Sequence, residues 1–450
     1  MKKIYLHVIL TIFSLTTFIS HAQSCWSPLG SGARGGITEM ATYNGQLLAG
    51  GYFDTIGGVA AQNVAAWNGA TWSALGSGLK IDTAQSDNFY MGSMAVYNGE
   101  LYVAGQFDTA GGQPVHNVAK WDGASWSAVG SGFSGHYYTV HALAVYKGSL
   151  YAGGYFDSAG GNLVNYIAKW DGNQWSAVDS GINRYGGIFC LTVNNGLLYV
   201  GGEFYSAGRE SAHNIAVWND TTWAAIGNIG NTEVSSLCFH QGNLYAATFS
   251  NTSHDSLRIW DGTNWSTFAG VNNRPFDIAV SALLSFDGKL LVGGGFDTLA
   301  GIPAHNLAQW DGSTWSEFGG GLSGSNSPWV DALFTLSGHL YASGAFTRAD
   351  TTSANSIAEY TCATTDISDI YANKLQVYPN PTAGIITVSA ENIQAGSQLQ
   401  IYDMLGEKIF QTELVNNKTE IDLRGRAAGL YIYQIPMNDG STRSGKISLQ

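Results

Sequence analysis

Glu233, His141, Asp277 and Asp331 are the acid and base side chains best placed for chemistry, because they stand at or beside the few irregular segments of an otherwise periodic chain. Paired carboxylates can cleave a glycosidic bond, one as acid and one as base or nucleophile, and a Tyr/His pair can move a proton. Nothing in the spacing of these four selects them for such work. No His-Glu-x-x-His, Gly-x-Ser-x-Gly, phosphate loop or Cys-x-x-Cys occurs. His116, His213 and His305 share one repeat position in three separate repeats, which fits a turn residue better than a metal site. No metal, no cofactor and no catalytic set is therefore expected. The same irregular segments carry Phe89 and Tyr90, then His136, Tyr137 and Tyr138, then Arg184 and Tyr185, then Arg274 and Phe276, then Trp329. Aromatic rings with an occasional arginine suit sugar rings or the centre of a protein contact. Tyr90, Tyr137, Tyr138, Tyr185, Arg274, Phe276 and Trp329 are the candidate ligand-binding residues; plugging of a central channel is the competing use.

The elements that position them repeat. Phe53, Phe107, Phe156, Phe204, Phe249, Phe296 and Phe346 anchor successive units, from 45 residues apart (Phe204 to Phe249) to 54 (Phe53 to Phe107). Each unit opens with an alternating apolar strand such as Val140–Tyr146, turns at a dipeptide such as Asn44-Gly45, Asn98-Gly99 or Lys147-Gly148, and returns through a strand with a small pair such as Gly153-Gly154. A third strand ends in tryptophan, and Asp-Gly or Asn-Gly turns into a fourth that begins with tryptophan, as at Trp170 and Trp175. Period-two alternation and two-residue glycine turns predict hairpins. A 40–50-residue period of hairpin pairs predicts propeller blades. The expected fold is all-β: a seven-bladed β-propeller over 23–362, a linker over 363–373 and a C-terminal Ig-like β-sandwich over 374–450.

The last repeat, Ser356-Ile-Ala-Glu-Tyr-Thr-Cys362, stops halfway, and its missing half, Cys25-Trp-Ser-Pro-Leu-Gly-Ser-Gly32, stands at the front. The first strand is thus expected to complete the last blade. In repeat register Cys362 and Cys25 flank one turn tip, which predicts a Cys25–Cys362 disulfide. Cys190 and Cys238 lie out of register and are expected to be free. Lys2, Lys3, the apolar run Ile4–Ile19 and Ser20-His21-Ala22 read as a signal peptide over 1–22. No further membrane span is expected after its removal. Export makes the disulfide reasonable. A net charge of -13 without any basic run argues against nucleic acid as a partner.

The double-glycine strand followed by tryptophan resembles kelch-type repeats, and Gly-Gly-x-Phe-Asp-Thr-x-Gly-Gly resembles propeller repeats of fungal cell-surface marker proteins. At the C-terminus, Leu375-Gln-Val-Tyr-Pro-Asn-Pro-Thr382, Leu399–Ile409, Ala428-Gly-Leu-Tyr-Ile-Tyr-Gln-Ile435 and Ser444–Gln450 resemble, in order, the type A sorting domain of the Bacteroidota type IX secretion system. The matching positions are Pro379, Asn380, Pro381, Gly406, Gly429, Tyr431 and Lys446. The resemblance implies partners: the type IX machinery and its sortase, engaging residues 374–450, with the chain delivered to the outer-membrane exterior or released. Asp54, Asp108, Asp157 and Asp297 follow the anchor phenylalanines, and an Asx-turn accounts for them. Thr55, Thr109, Ser158 and Thr298 beside them also resemble the Asp-Ser/Thr-apolar acceptor of Bacteroidota O-glycosylation.

The expected function is a secreted or surface-displayed, non-catalytic binding or adhesion module whose ligand, a glycan or a protein, sits on the connector face. A glycan hydrolase or lyase on the same scaffold and a purely structural surface component are the alternatives.

Overall fold

The computed structural model describes residues 24–82, 89–135, 139–183, 187–230, 232–249, 256–273, 280–325 and 327–361, and in the C-terminal part 375–378, 382, 384–390, 397–403, 408–414, 418–427, 429–436 and 442–449. The chain divides into two compact units, Met1–Thr361 and Cys362–Gln450. Both are all-β among the described residues. The expected signal peptide and linker, and Cys362, lie outside the described residues.

In the first unit the repeats fold into antiparallel sheets of consecutive strands. The sheet of Thr139–Tyr146, Ser149–Tyr155, Ile167–Trp170 and Trp175–Ala177 is representative. Its first turn places Lys147 at φ 45 and Gly148 at φ 75; the equivalent Asn98 and Gly99 stand at φ 51 and φ 80. Positive φ at both central residues is the type I′ geometry that matches strand twist, so the turns fix the hairpin register. At the second turn Asp171 Oδ1 accepts from the N–H groups of Asn173 and Gln174, at 2.8 Å each, and Asn68, Asp122, Asn219, Asp261 and Asp311 do the same.

Neighbouring sheets pack through their first strands. Each first strand lies against the first strand of the next sheet, and Trp329–Leu336 lies against Ala33–Tyr43. The small pair makes this possible. A Cβ on Gly201 would meet Val234 Cγ1 at 2.7 Å, and one on Gly293 would meet Val330 Cγ1 at 2.7 Å, so the next sheet's valine occupies the space a side chain would take. Tryptophans then bolt sheet to sheet. The indole N–H of Trp126 donates to Leu75 O at 2.8 Å, that of Trp175 to Val129 O at 3.2 Å and that of Trp265 to Ile226 O at 2.7 Å.

The strand Trp26–Pro28 pairs with Ile357–Tyr360, with Trp26 opposite Tyr360 and Pro28 opposite Ala358. It is the outer strand of a sheet whose other members are His339–Ala345 and Trp329–Leu336. Trp26 Nε1 donates to Gly319 O at 2.9 Å, and Trp72 Nε1 donates to Leu29 O at 3.0 Å, so this N-terminal segment is bolted on both sides.

The connectors contain structure that four strands per repeat did not anticipate. The Phe-Asp-Thr segment folds back as a small hairpin, Thr109–Ala110 with Gln113–Pro114, and pairs with Leu79–Lys80 of the preceding connector. Asp108 Oδ1 accepts from Asp82 N at 2.8 Å and from the Thr109 hydroxyl at 2.9 Å, holding the connector to the hairpin.

The C-terminal unit has two antiparallel sheets. One orders Leu375–Tyr378, Ile385–Ala390 and Lys418–Asp422; the other orders Lys408–Leu414, Ser397–Tyr402, Gly429–Pro436 and Thr442–Leu449. Ile386, Val388, Leu399, Ile401, Ile421 and Ile447 form its buried core.

Candidate functional site

Six of the first strands share a defect. Pairing shifts by one residue between Ile37 and Glu39, Met91 and Ser93, Val140 and Ala142, Ile188 and Cys190, Val234 and Ser236, and Val330 and Ala332. The residue left over is Thr38, Gly92, His141, Phe189, Ser235 or Asp331. A bulge re-aims its side chain, and rims and sites are where bulges concentrate. Just before it, the apolar residue (Ile37, Val140, Ile188, Val234, Val330) is fully buried between sheets. The bulge residue is thereby released from the sheet-to-sheet packing.

Two serines tie this region to the neighbouring sheet: the bulge residue Ser235, whose Oγ donates to Val280 O at 3.0 Å, and Ser281, whose Oγ donates to Val330 O. Thr38 Oγ1 and His141 Nε2 are buried without a hydrogen-bond partner. His141 Nδ1 pairs with the Tyr90 hydroxyl at 3.0 Å, and its ring meets the edges of Tyr90, Tyr155 and Phe189 at centroid distances of 5.1, 5.4 and 5.5 Å. Burial in this aromatic cage pulls the imidazole down to about 4, so it is neutral at neutral pH.

Two acids act on the same Tyr90. Asp331 Oδ2 accepts from Trp329 Nε1 at 2.7 Å, and burial outweighs that bond and pushes the carboxyl up to about 7. Glu39 follows the bulge of the adjacent first strand and accepts weakly from Met94 N and Ser93 Oγ, at 3.4 and 3.5 Å; burial pushes it up to about 8. The Tyr90 phenol is raised by burial, then by the charges of Tyr52, Glu39 and Asp331, and Tyr52 is raised by burial and by Asp331. Farther round, Glu233 is raised by burial and by Glu203, and both act on Tyr155. Among the described residues, no ion pair includes Glu39, Glu203, Glu233 or Asp331. Arg34, on the same strand as Glu39, faces Asp54 at 4.0 Å.

Of the residues singled out from sequence, Tyr90 and Trp329 open their first strands at this end, Tyr90 half-buried and Trp329 38% exposed. Tyr137, Tyr138, Tyr185, Arg274, Phe276 and Asp277 lie outside the described residues. The sequence reading missed Glu39, Tyr52 and Thr38. Tyr52 is 43% exposed, pairs with Gly36 within its second strand, Gln46–Ile56, and meets Phe89 edge-on at 5.9 Å. The available signal was the position directly after the small pair, where Tyr52, Gln106, Tyr155 and Glu203 break the repeat.

Elsewhere, Cys190 and Cys238 are free thiols, raised to about 12 and about 11 by burial. Thr361 N donates to Cys25 O at 2.8 Å, bringing the start of the described chain to the end of this unit. Thr109 is buried and its hydroxyl bonds Asp82 and Asp108, whereas Thr55, Ser158 and Thr298 are half-buried. No metal-binding cluster occurs among the described residues. In the C-terminal unit Gly429 pairs with Leu449, Tyr431 is buried and donates to Ala427 O at 2.7 Å, and Lys446 is exposed on the last strand. Pro379, Asn380, Pro381 and Gly406 lie outside the described residues. No helix among the described residues is long and apolar enough to cross a membrane.

No curated protein matches the chain. Among solved structures, PorZ, a surface component of the type-IX secretion system of Porphyromonas gingivalis, is similar at 15% identity and TM-score 0.36, over 90% of this chain and 64% of PorZ. The extracellular domain of the two-component system BT4673 from B. thetaiotaomicron is similar at 12% identity and TM-score 0.48, over 84% of this chain and 45% of that one. Trypanosoma rangeli sialidase is similar at 10% identity and TM-score 0.36, over 93% of this chain and 84% of that one. The chain thus spans under two thirds of the first two, and likeness at this level carries neither their activity nor their ligands. Residues 376–450 match the family described as the secretion system C-terminal sorting domain, Por_Secre_tail. With that tail on an all-β, propeller-like body, the chain is a type IX secretion cargo, exported to the cell surface or beyond.

Proposed function

We propose that the first unit is a closed seven-bladed β-propeller of kelch-like repeats acting, once exported, as a non-catalytic binding or adhesion module. Its ligand sits at the end where the first strands begin, against Tyr90, Trp329 and Tyr52, with Tyr137, Tyr138, Tyr185, Arg274 and Phe276 supplied by the connectors. In this reading a signal peptide over 1–22 starts export, the C-terminal unit is an Ig-like sandwich handed to the secretion machinery and sortase, and a Cys25–Cys362 disulfide locks the ring. The observation that carries it is Trp329, a large ring left 38% exposed at the start of its first strand, with Tyr52 of the same unit 43% exposed. Such rings on a rigid frame suit a sugar face or a protein hot spot. A glycan array probed with the exported chain should give binding that Tyr138→Ala plus Trp329→Ala abolishes while the thermal midpoint is kept; unchanged binding removes the site.

An extracellular glycan hydrolase or lyase is the second reading. It draws on Glu39 and Asp331, two carboxyls raised towards neutrality beside a Tyr–His pair. Product release from an array-positive glycan would favour it over binding alone.

A further inference from the structure

Resting on that reading of the mouth as a ligand site, we infer that His141 is a positioning residue: its Nδ1–H donates to the Tyr90 oxygen and leaves the Tyr90 O–H to donate to an acceptor oxygen of a sugar ligand. The repeat does not ask for a histidine here. The same bulge position holds Thr38, Gly92, Phe189, Ser235 and Asp331 in other first strands. The first strand that Tyr90 opens packs against the one that carries His141, and Phe189 comes from the next first strand on. The imidazole therefore has a ring from each neighbouring sheet beside it. Tyr90 lies at 5.1 Å and 67°, Phe189 at 5.5 Å and 84°, and Tyr155 of its own sheet at 5.4 Å and 71°. These contacts restrict rotation of the ring and hold Nδ1 at 3.0 Å from the Tyr90 hydroxyl.

The direction of that hydrogen bond follows from the protons available. A neutral imidazole has one N–H and one bare nitrogen, and a phenol has one O–H beside its lone pairs. Burial pulls His141 down to about 4, so the ring is neutral at neutral pH. Its Nε2 is buried and has no hydrogen-bond partner among the described residues. Were Tyr90 to donate to Nδ1, the ring proton would stand on Nε2 as an orphaned buried N–H. With the proton on Nδ1, the ring's one N–H is paired and the orphan is a bare nitrogen. Buried N–H groups are left unpaired more rarely than acceptors are. The Tyr90 oxygen then accepts from His141, and its own O–H is unspent: this hydroxyl has no other hydrogen bond among the described residues. Burial raises the phenol's pKa, so it keeps its proton through the ordinary pH range. Tyr90 opens its strand at the mouth and is half-buried, which leaves solvent or a ligand as the acceptor. Aromatic surface with a few fixed polar groups is the usual lining of a small-ligand site, and a sugar oxygen complements such a donor.

Nitrogen-15 NMR of the full chain labelled at histidine reads the tautomer without any ligand. The ring signals that vanish in His141→Phe identify His141 among the 10 histidines. At neutral pH they should show a protonated Nδ1 and a bare Nε2; a protonated Nε2 overturns the inference. The glycan array then reads the donor. Tyr90→Phe and His141→Phe should each weaken the array-positive glycans about tenfold, the loss of one good hydrogen bond, and the double variant no further. His141→Asn, whose amide N–H can stand where Nδ1–H stood, should bind more tightly than His141→Phe. Parental binding by Tyr90→Phe overturns the donor role and leaves the aromatic mouth standing. A double variant about tenfold weaker than either single variant means the two residues act apart, which overturns the positioning role. An array with no parental binding removes the mouth and this inference together, whereas a protonated Nε2 removes this inference alone. If His141→Phe fails to fold, His141→Asn identifies the ring signals and Tyr90→Phe still reads the donor.

Discussion

Asn117 shows how one residue holds a connector. It is buried at φ 65; its Oδ1 accepts from Phe107 N at 3.2 Å and its Nδ2 donates to Phe133 O at 3.3 Å. Asn63, Asn214 and Asn306 occupy the same place at φ 66, 66 and 64. Asparagine tolerates the left-handed region and brings both a donor and an acceptor, so it clamps anchor phenylalanine and connector together. Asn117→Ala leaves a buried N–H and a buried carbonyl unpaired and puts a Cβ residue at positive φ with no compensation. It should destabilise the first unit by roughly 2–4 kcal/mol in urea titrations, and a loss under about 0.5 kcal/mol would show that the clamp is incidental. These asparagines were visible in the sequence, but nothing local marked them as buried. Their role depends on a connector brought back from about sixteen residues later, and period-two patterning does not report such contacts.

Strands and turns were more legible. Asn98-Gly99 and its relatives dictate type I′ hairpins because both central residues must take positive φ, and Trp26 was placed opposite Tyr360 by repeat register alone. What patterning does not reveal is the bulge. One extra residue in their first strands frees His141 and Asp331 from the packing between sheets, and the alternation of Val140–Tyr146 gives no hint of it. The extra hairpins at Thr109–Ala110 escaped notice because two-residue strands carry no periodic signal. The strand Trp26–Pro28 has only three residues, so its retention leans on Trp26 and on the proposed bond at Cys25. Non-reducing digestion should yield a Cys25–Cys362 peptide, and Cys25→Ser should lower the unfolding free energy by up to about 5 kcal/mol, the chain-entropy bound for so long a loop. Free thiols at both positions would refute the staple.

The first unit has two ends. The first strands run from the mouth bearing Trp329, Tyr90 and Asp331 to the type I′ turns, about 25 Å away for eight residues. Near those turns Val96, Val145 and Val193 are each 40% exposed or slightly more, an apolar arc unlike the acid-and-aromatic mouth. The exported tail is matched to a sorting family, whereas the body's ligand is read from its geometry alone. The account stands on which end binds. A direct measurement takes the strongest array ligand and compares full-length Tyr52→Ala/Trp329→Ala with Val96→Ala/Val145→Ala. The mouth variant should lose at least about tenfold in affinity, roughly 1.4 kcal/mol, and the far-end variant should bind like the parent. Loss in the far-end variant with the mouth variant unaffected would contradict the account.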